Sequence, residues 1–233
     1  MIELLNLTKQ YGNEQVVSDL SFSISKGSVF GFLGQNGAGK TTTMKMAVGL
    51  LIPTSGKVLI EEASPLEEKT RERIGFMPES PYFYDRLRGI EFLRFCGELF
   101  GIDKEETYYE NVLRMTGIYE ARMKPIHAYS KGMKQRLGFA QALVNDPEYI
   151  FLDEPLDGLD PIGRKEIKEV IKKMKSEGRT IFFNSHILYD TEELCDEIGI
   201  IHKGNLVYSG KTDSFCLGKP LEDRFVEVIQ NIV

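Results

Sequence analysis

Gly34-Gln35-Asn36-Gly37-Ala38-Gly39-Lys40-Thr41 is the stretch on which the reading of this chain turns. It fits the phosphate-loop pattern G-x-x-x-x-G-K-[ST], and its surroundings fit as well. The apolar run Val29–Leu33 before it reads as a strand, and Thr41–Leu51 after it carries helix-compatible residues. Glycines let the chain curl until backbone N–H groups converge on phosphate oxygens, and the start of a helix adds positive potential at the same point. Lys40 is expected to reach the β- and γ-phosphates of a nucleotide. The Thr41 hydroxyl is expected to ligate Mg²⁺, with Thr42 a neighbouring phosphate contact and Asn36, Gly37 and Gly39 completing the cradle.

Further along, Tyr149-Ile150-Phe151-Leu152-Asp153-Glu154 is an apolar strand that ends in two acids. It resembles the Walker B motif. A strand buried in a sheet presents its last residues at the carboxyl edge, where ligands of such sheets bind. Asp153 would hold Mg²⁺, and Glu154 would polarise the attacking water as general base. By itself such a strand end is as readily a pair of solvated acids. Beside a phosphate loop the pair reads as a nucleotide-hydrolysis site.

The rest of the chain alternates. Ile2–Leu5, Val16–Val17, Ser21–Ile24 and Ser28–Leu33 read as strands broken at Tyr11-Gly12-Asn13 and Lys26-Gly27. Pro53–Gly56 is a turn, followed by strands at Lys57–Ile60 and Ile74–Met77. From Leu87 to Asn145 the apolar spacing becomes helical, with helices expected at Tyr108–Thr116 and Lys131–Val144. Strand character returns at Tyr149–Leu152 and Thr180–Asn184. Between them Asp160-Pro161 opens a helix that Gly178 stops. Glu197–His202 and Asn205–Ser209 flank Lys203-Gly204 as a hairpin. Apolar runs without alternation fit strands covered on both faces of a parallel sheet, so the fold class is α/β.

Tyr129-Ser130-Lys131-Gly132-Met133-Lys134-Gln135-Arg136 resembles the signature motif of ATP-binding cassette (ABC) proteins, usually LSGGQ followed by a basic residue, Gln and Arg. Ser130, Gly132, Gln135 and Arg136 match; Tyr129, Lys131 and Met133 depart. Leu156-Asp157-Gly158-Leu159-Asp160 looks like the D-loop, and Asn184-Ser185-His186 like the switch region, with His186 near the γ-phosphate. Tyr11 sits where the family places an aromatic ring against adenine. Glu79 occupies the Q-loop position, where the family usually has glutamine, and as a third metal-side acid it adds charge beside Asp153 and Glu154. The motifs run in the family's order over nearly the whole chain.

The resemblance implies a P-loop NTPase core with a mainly parallel sheet, an N-terminal antiparallel β subdomain and an inserted helical subdomain. Residues 1–80 and 146–233 would form the core and β subdomain of one nucleotide-binding domain, and 81–145 the helical insertion. It implies ATP and Mg²⁺ as ligands and ATP hydrolysis that powers transport. Ser130, Gly132 and Asp160 join the nucleotide contacts, the first two across a head-to-tail homodimer or heterodimer with another ATPase subunit. The signature and Glu79 resemble a branch that mostly serves exporters. The transmission groove toward the membrane subunit is expected beside Ser80–Arg88, where Tyr82, Phe83 and Tyr84 cannot all face one core.

Bulk properties narrow the alternatives. The 233 residues carry a formal charge of −6, which gives no basic surface for nucleic acid. The longest apolar runs fall far short of the roughly 20 residues that span a bilayer, so the transmembrane permease subunits would be separate chains. The N-terminus lacks the pattern of a secretory signal. Cys96, Cys195 and Cys216 are widely spaced, as free thiols in a reducing compartment would be. A cytoplasmic protein peripheral to the membrane is the expected setting. A soluble ABC-type ATPase with a non-transport role is the competing reading. The long coiled coil of repair members and the paired cassettes of translation members are both missing from this sequence.

Overall fold

The computed structural model describes residues 1–231. β1 (Ile2–Tyr11) and β2 (Glu14–Ile24) form an antiparallel hairpin, longer than the alternation of the sequence indicates. The register shifts between Leu4 and Leu7 and again between Leu7 and Lys9. Asn6 and Asp19 both take φ of 48°, and the Asn6 amide donates to the Asp19 carboxylate at 2.9 Å. These bulges put polar residues inside strands without ending the ladder, which is why the sequence appears to break there.

β3 (Val29–Leu33) runs through the phosphate loop into α1 (Lys40–Ala47). The helix stops before the expected Leu51. Gly49 takes φ of 76°, and Leu50 N–H reaches back to the Lys45 carbonyl at 2.9 Å, a glycine-terminated helix end. β4 (Ser55–Ile60) completes an antiparallel sheet of order β2-β1-β4. The single turn α2 (Glu68–Arg71) leads to β5 (Ile74–Met77). Three helices follow: α3 (Gly89–Leu99), α4 (Glu106–Met115) and α5 (Lys131–Leu143).

The chain then returns to the main sheet with β6 (Tyr149–Asp153), α6 (Pro161–Ser176), β7 (Thr180–Asn184) and α7 (Leu188–Leu194). β8 (Glu197–His202) and β9 (Asn205–Lys211) make the expected hairpin, and α8 (Thr212–Cys216) and α9 (Leu221–Gln230) follow. α6 opens as Asp160 predicts, its carboxylate accepting from Gly163 N–H at 2.7 Å, and closes at Gly178 with φ of 85°.

The six-stranded sheet has the order β5-β6-β7-β3-β8-β9, parallel except for β9. β3, β6 and β7 are wholly buried. Their side chains divide by face. Phe30, Phe32, Phe151 and Phe182 point toward the antiparallel sheet and α1, where Phe22 stacks on Phe30 with ring centroids 5.1 Å apart. Val29, Leu33, Ile150, Leu152 and Ile181 point toward α5, α6 and the other helices. The aromatic packing adds geometric preference to the area each ring buries.

α5 is seated on β5 with nothing between. A Cβ at Gly75 would stand 2.0 Å from the Ala142 carbonyl oxygen and 2.7 Å from Pro147. Gly75→Ala is therefore expected to cost about 1–3 kcal/mol through overpacking against rigid backbone. In a chain of this size that lowers Tm by about 2–4 °C per kcal/mol. Differential scanning calorimetry checks it; an unchanged Tm would show that α5 can shift freely on the sheet.

Candidate active site

The carboxyl ends of β3, β6 and β7 meet at one cleft of about 350 Å³. Asn36, Gly37, Gly39, Lys40, Thr41, Thr42, Glu79, Asp153 and Glu154 line it, with Val16 and Asn184. The loop holds its curl through φ of 79° at Gly37 and 107° at Gly39, a region that disfavours any side chain. Among the described residues no side chain caps α1, so its first N–H groups face the cleft. Lys40 Nζ donates to the Gly34 carbonyl at 2.7 Å and to the Gln35 carbonyl at 3.3 Å.

The acids are deep. Asp153 accepts from the Asn184 amide at 2.6 Å through Oδ1; its Oδ2 is buried and has no hydrogen-bond partner among the described residues. Burial pushes the Asp153 carboxyl above its ordinary range, with the Thr41 hydroxyl and Asn184 amide pulling the other way. Burial likewise raises Glu154, against the pull of His186 and Lys40. Lys40 is lowered by burial, while Glu154, Asp153 and Glu79 favour its charged form. Glu154 Oε2 accepts from His186 twice, from the ring Nδ1 at 2.8 Å and from the backbone N–H at 3.3 Å. His186 itself faces a neighbouring cavity that it shares with Asn36, Ser185 and Phe225.

This donor set fits Mg²⁺. The unpartnered Asp153 oxygen, the Thr41 hydroxyl and the Glu79 carboxylate are hard oxygen ligands on one cleft. Mg²⁺ is commonly held by one or two carboxylates together with substrate phosphates rather than by a protein cage. Accordingly, no cluster of three or more His, Cys, Asp or Glu among the described residues is placed to hold a metal alone.

The remaining sequence candidates stand outside the cleft. Tyr11 is half-exposed at the tip of the β1–β2 hairpin, with Lys9 Nζ 5.0 Å from its ring centre. Ser130 is exposed and caps α5, accepting from Met133 N–H at 3.2 Å. Gly132 packs near the Gly158 carbonyl, and Asp160 caps α6. Three side chains of the site were given no role by sequence reasoning. Val16 carries no signal at all. Asn184 and Gln135 lie inside recognised motifs, and Gln135 Nε2 donates to the Glu154 carbonyl at 2.7 Å.

A strand–glycine loop–helix with a buried lysine, facing an acid pair at the end of a parallel strand one removed in the same sheet, defines a P-loop nucleoside triphosphatase. The family model described as ABC transporter matches residues 17–157, and the chain belongs to that family. It is 45% identical to an ABC transporter ATP-binding protein of Synechocystis sp. over 85% of this chain and 58% of that one, so it spans less than two thirds of that relative. It is 42% identical to the bacitracin transport ATP-binding protein BcrA of Enterococcus faecalis over 89% of this chain and 68% of that one. A solved ATP-binding subunit of an ABC transporter superposes with a TM-score of 0.89 at 29% identity, covering 98% of this chain and 99% of that chain.

The raised Glu154 carboxyl makes a stability prediction. Its folded value lies above the ordinary 4.5, so the folded chain binds this proton more tightly than the unfolded one. The burial cost is full above the folded value and vanishes below the unfolded one. Glu154→Gln should therefore melt higher than wild type near pH 8. The gap should close toward about pH 4. Thermal melts of both proteins across this range decide it; a gap that widens in acid contradicts the assignment.

Proposed function

We propose that this chain is a Mg²⁺-dependent ATPase subunit that drives transport, in the export direction, through separate membrane-spanning subunits. The observation that carries the reading is the convergence of Lys40, Thr41, Asp153 and Glu154 on one cleft, with His186 bonded to Glu154. The signature, D-loop and switch motifs in order support a cassette ATPase over other P-loop enzymes. BcrA, named for bacitracin transport, supports the transport role.

In this reading the backbone of the phosphate loop and Lys40 bind the triphosphate. Thr41, Asp153 and Glu79 would hold Mg²⁺, which would supply charge neutralisation at the phosphate oxygens. Glu154 takes the proton of the attacking water. Its burial raises proton affinity, which suits a base working near neutral pH, and His186 fixes its carboxylate. Catalysis is then mostly positioning and electrostatic stabilisation. Tyr11 stacks against adenine. Ser130 and Gly132, outside their own cleft, serve the nucleotide of a second ATPase subunit, identical or related, in a head-to-tail dimer, and Asp160 joins the nucleotide contacts.

The membrane partner docks beside Ser80–Arg88. Phe83 is buried against Phe92, whereas Tyr82 is 83% exposed and Tyr84 52%. Tyr84, Leu87 and Phe95 line one apolar hollow; Phe76, Leu99 and Phe100 help line another. Exposed aromatics above such hollows suit a helix laid into a groove. Among the described residues no helix is long and apolar enough to cross a membrane. The subunit is then held at the cytoplasmic face by its partner.

Two experiments test this. Lys40→Ala should weaken nucleotide binding, and Glu154→Gln should keep binding while hydrolysis falls by about 10²–10⁴-fold. The ATP-loaded Glu154→Gln protein should also sediment as a dimer. Unimpaired turnover in Glu154→Gln removes it as the base, and a persistent ATP-bound monomer removes the dimer. Separately, Tyr82→Asp should leave basal ATPase of the isolated subunit intact while assembly with the membrane subunit, or transport, fails. Transport at the wild-type rate would move the docking site elsewhere.

A further inference from the structure

Glu154 presents its side chain from an uncommon backbone. Its φ is 53°, the left-handed region that non-glycine residues enter seldom and keep only when their surroundings hold them. Pro155 follows directly, and a residue before proline is biased toward extended backbone. The observed conformation therefore has to be imposed from outside.

Three hydrogen bonds to its backbone impose it. Glu154 N–H donates to the Asn184 carbonyl at 2.9 Å, an extension of the β6–β7 ladder. The Glu154 carbonyl accepts from Asp157 N–H at 3.1 Å, a turn within its own loop, and from Gln135 Nε2 at 2.7 Å. The first two bonds belong to the sheet and the loop itself. The third, the shorter of the two at the carbonyl, comes from α5, a separate element, through a side chain that is only 5% exposed. The opening turns of α5 hold the rest of the same loop as well. Lys131 Nζ pairs with the Asp157 carboxylate at 2.7 Å, and a Cβ at Gly132 would lie 3.3 Å from the Gly158 carbonyl. Residues 154–158 are thus gripped along their length by the start of one helix.

We propose that Gln135 is a positioning residue for hydrolysis: its amide clamps the Glu154 carbonyl, keeps the left-handed backbone from relaxing, and so keeps the carboxylate aimed into the cleft. A relaxed φ would turn the Cα–Cβ bond and carry the carboxylate off the His186 donors. The inference rests on the reading of Glu154 as base. It also gives the start of α5, with Ser130 and Gly132, a direct mechanical line to the base of its own chain.

The plain alternative is that Gln135 merely satisfies a buried carbonyl, as most such groups are satisfied. Gln135→Met keeps length and bulk without a donor. Gln135→Glu keeps the shape and regains an O–H donor only when protonated. Steady-state ATPase of the full chain should separate kcat from KM, alongside nucleotide Kd and Tm. Gln135→Met should lose about tenfold to a hundredfold in kcat with KM and Kd within about twofold. The Gln135→Glu rate relative to wild type should climb as its carboxyl takes up a proton with falling pH, a titration that burial shifts upward. Wild-type kcat in Gln135→Met overturns the proposal, as does a kcat loss matched by lost nucleotide affinity or a collapsed Tm. Glu154→Gln run in the same assay separates the two readings. If it turns over at the wild-type rate, the base assignment fails. If it is dead while Gln135→Met is unimpaired, the base stands and the clamp falls.

Discussion

Asp153 on β6 lies directly opposite Asn184 on β7, and Asn184 lies beside Phe32 on β3, one residue before the strand enters the phosphate loop. This register is the constraint from which the rest of the site follows. In a strand, side chains alternate between faces, so a slip of one residue would exchange the faces of the whole element. Phe30, Phe32, Phe151 and Phe182 form one aromatic face against the antiparallel sheet, and Val29, Leu33, Ile150, Leu152, Ile181 and Phe183 form the other. No slip keeps both faces filled. The packing of the core therefore sets the height at which the phosphate loop, the acid pair and the switch residues emerge, and it sets them level.

What emerges there does not help the fold. Glu79, Asp153 and Glu154 share the cleft with a single lysine, and burial disfavours the charged forms of Lys40, Asp153 and Glu154. Desolvated charges cost free energy unless paired and hydrogen-bonded, and Asp153 Oδ2 is neither among the described residues. An excess of acid over base is unsuited to a bare polyanion but well suited to a polyanion that arrives with a divalent cation. In the proposed reading the lysine and the helix start would answer the phosphates, and the acids the metal. A left-handed Glu154 and a half-satisfied Asp153 are local rule-breakers of the kind that cluster where a chain is shaped for chemistry rather than for stability.

Sequence order alone carried the fold class, the phosphate loop and the acid pair, because each of these is written contiguously. Gly34 to Thr42 and Tyr149 to Glu154 need no partner to be recognised. The losses have a common cause. β2 was split at Ser18 and Asp19, whose polar side chains belong in a bulge that exists only when β1 lies alongside. Val16 enters the cleft only because β2 passes the phosphate loop, where Ser18 N–H bonds to the Gly204 carbonyl and Gly204 N–H to that of Ala38. α7 and α8 are too short to show a period, whereas α9 does carry helical spacing at Leu221, Phe225, Val228 and Ile229, a legible signal, and its Phe225 reaches the cavity of His186. Gln135 was legible as a motif letter but not as a contact. Its partner is a carbonyl nineteen residues away, just past the end of a strand that must first pair before that carbonyl has a direction.

The segment after β5 has a place in the fold that neither of its ends would explain. Glu79 lines the cleft, while three residues later Tyr82 stands almost free in solvent and Tyr84 packs edge-on to Phe95 of α3, with ring centroids 5.5 Å apart. Between them Pro81 presses on Gly138 of α5, where an added Cβ would come within 2.6 Å of its ring. The segment is thus pinned in the middle and exposed at one end, with a charged group in the cleft at the other. A body seated on Tyr82 and Tyr84 could not displace the segment without also moving Pro81 against α5, the helix that carries Ser130 at its start and holds the Glu154 carbonyl through Gln135. Any force at the aromatic pair therefore has two short routes to the cleft, one along the backbone to Glu79 and one through α5 to the Glu154 carbonyl. Both run through close-packed contacts that leave little room for slack.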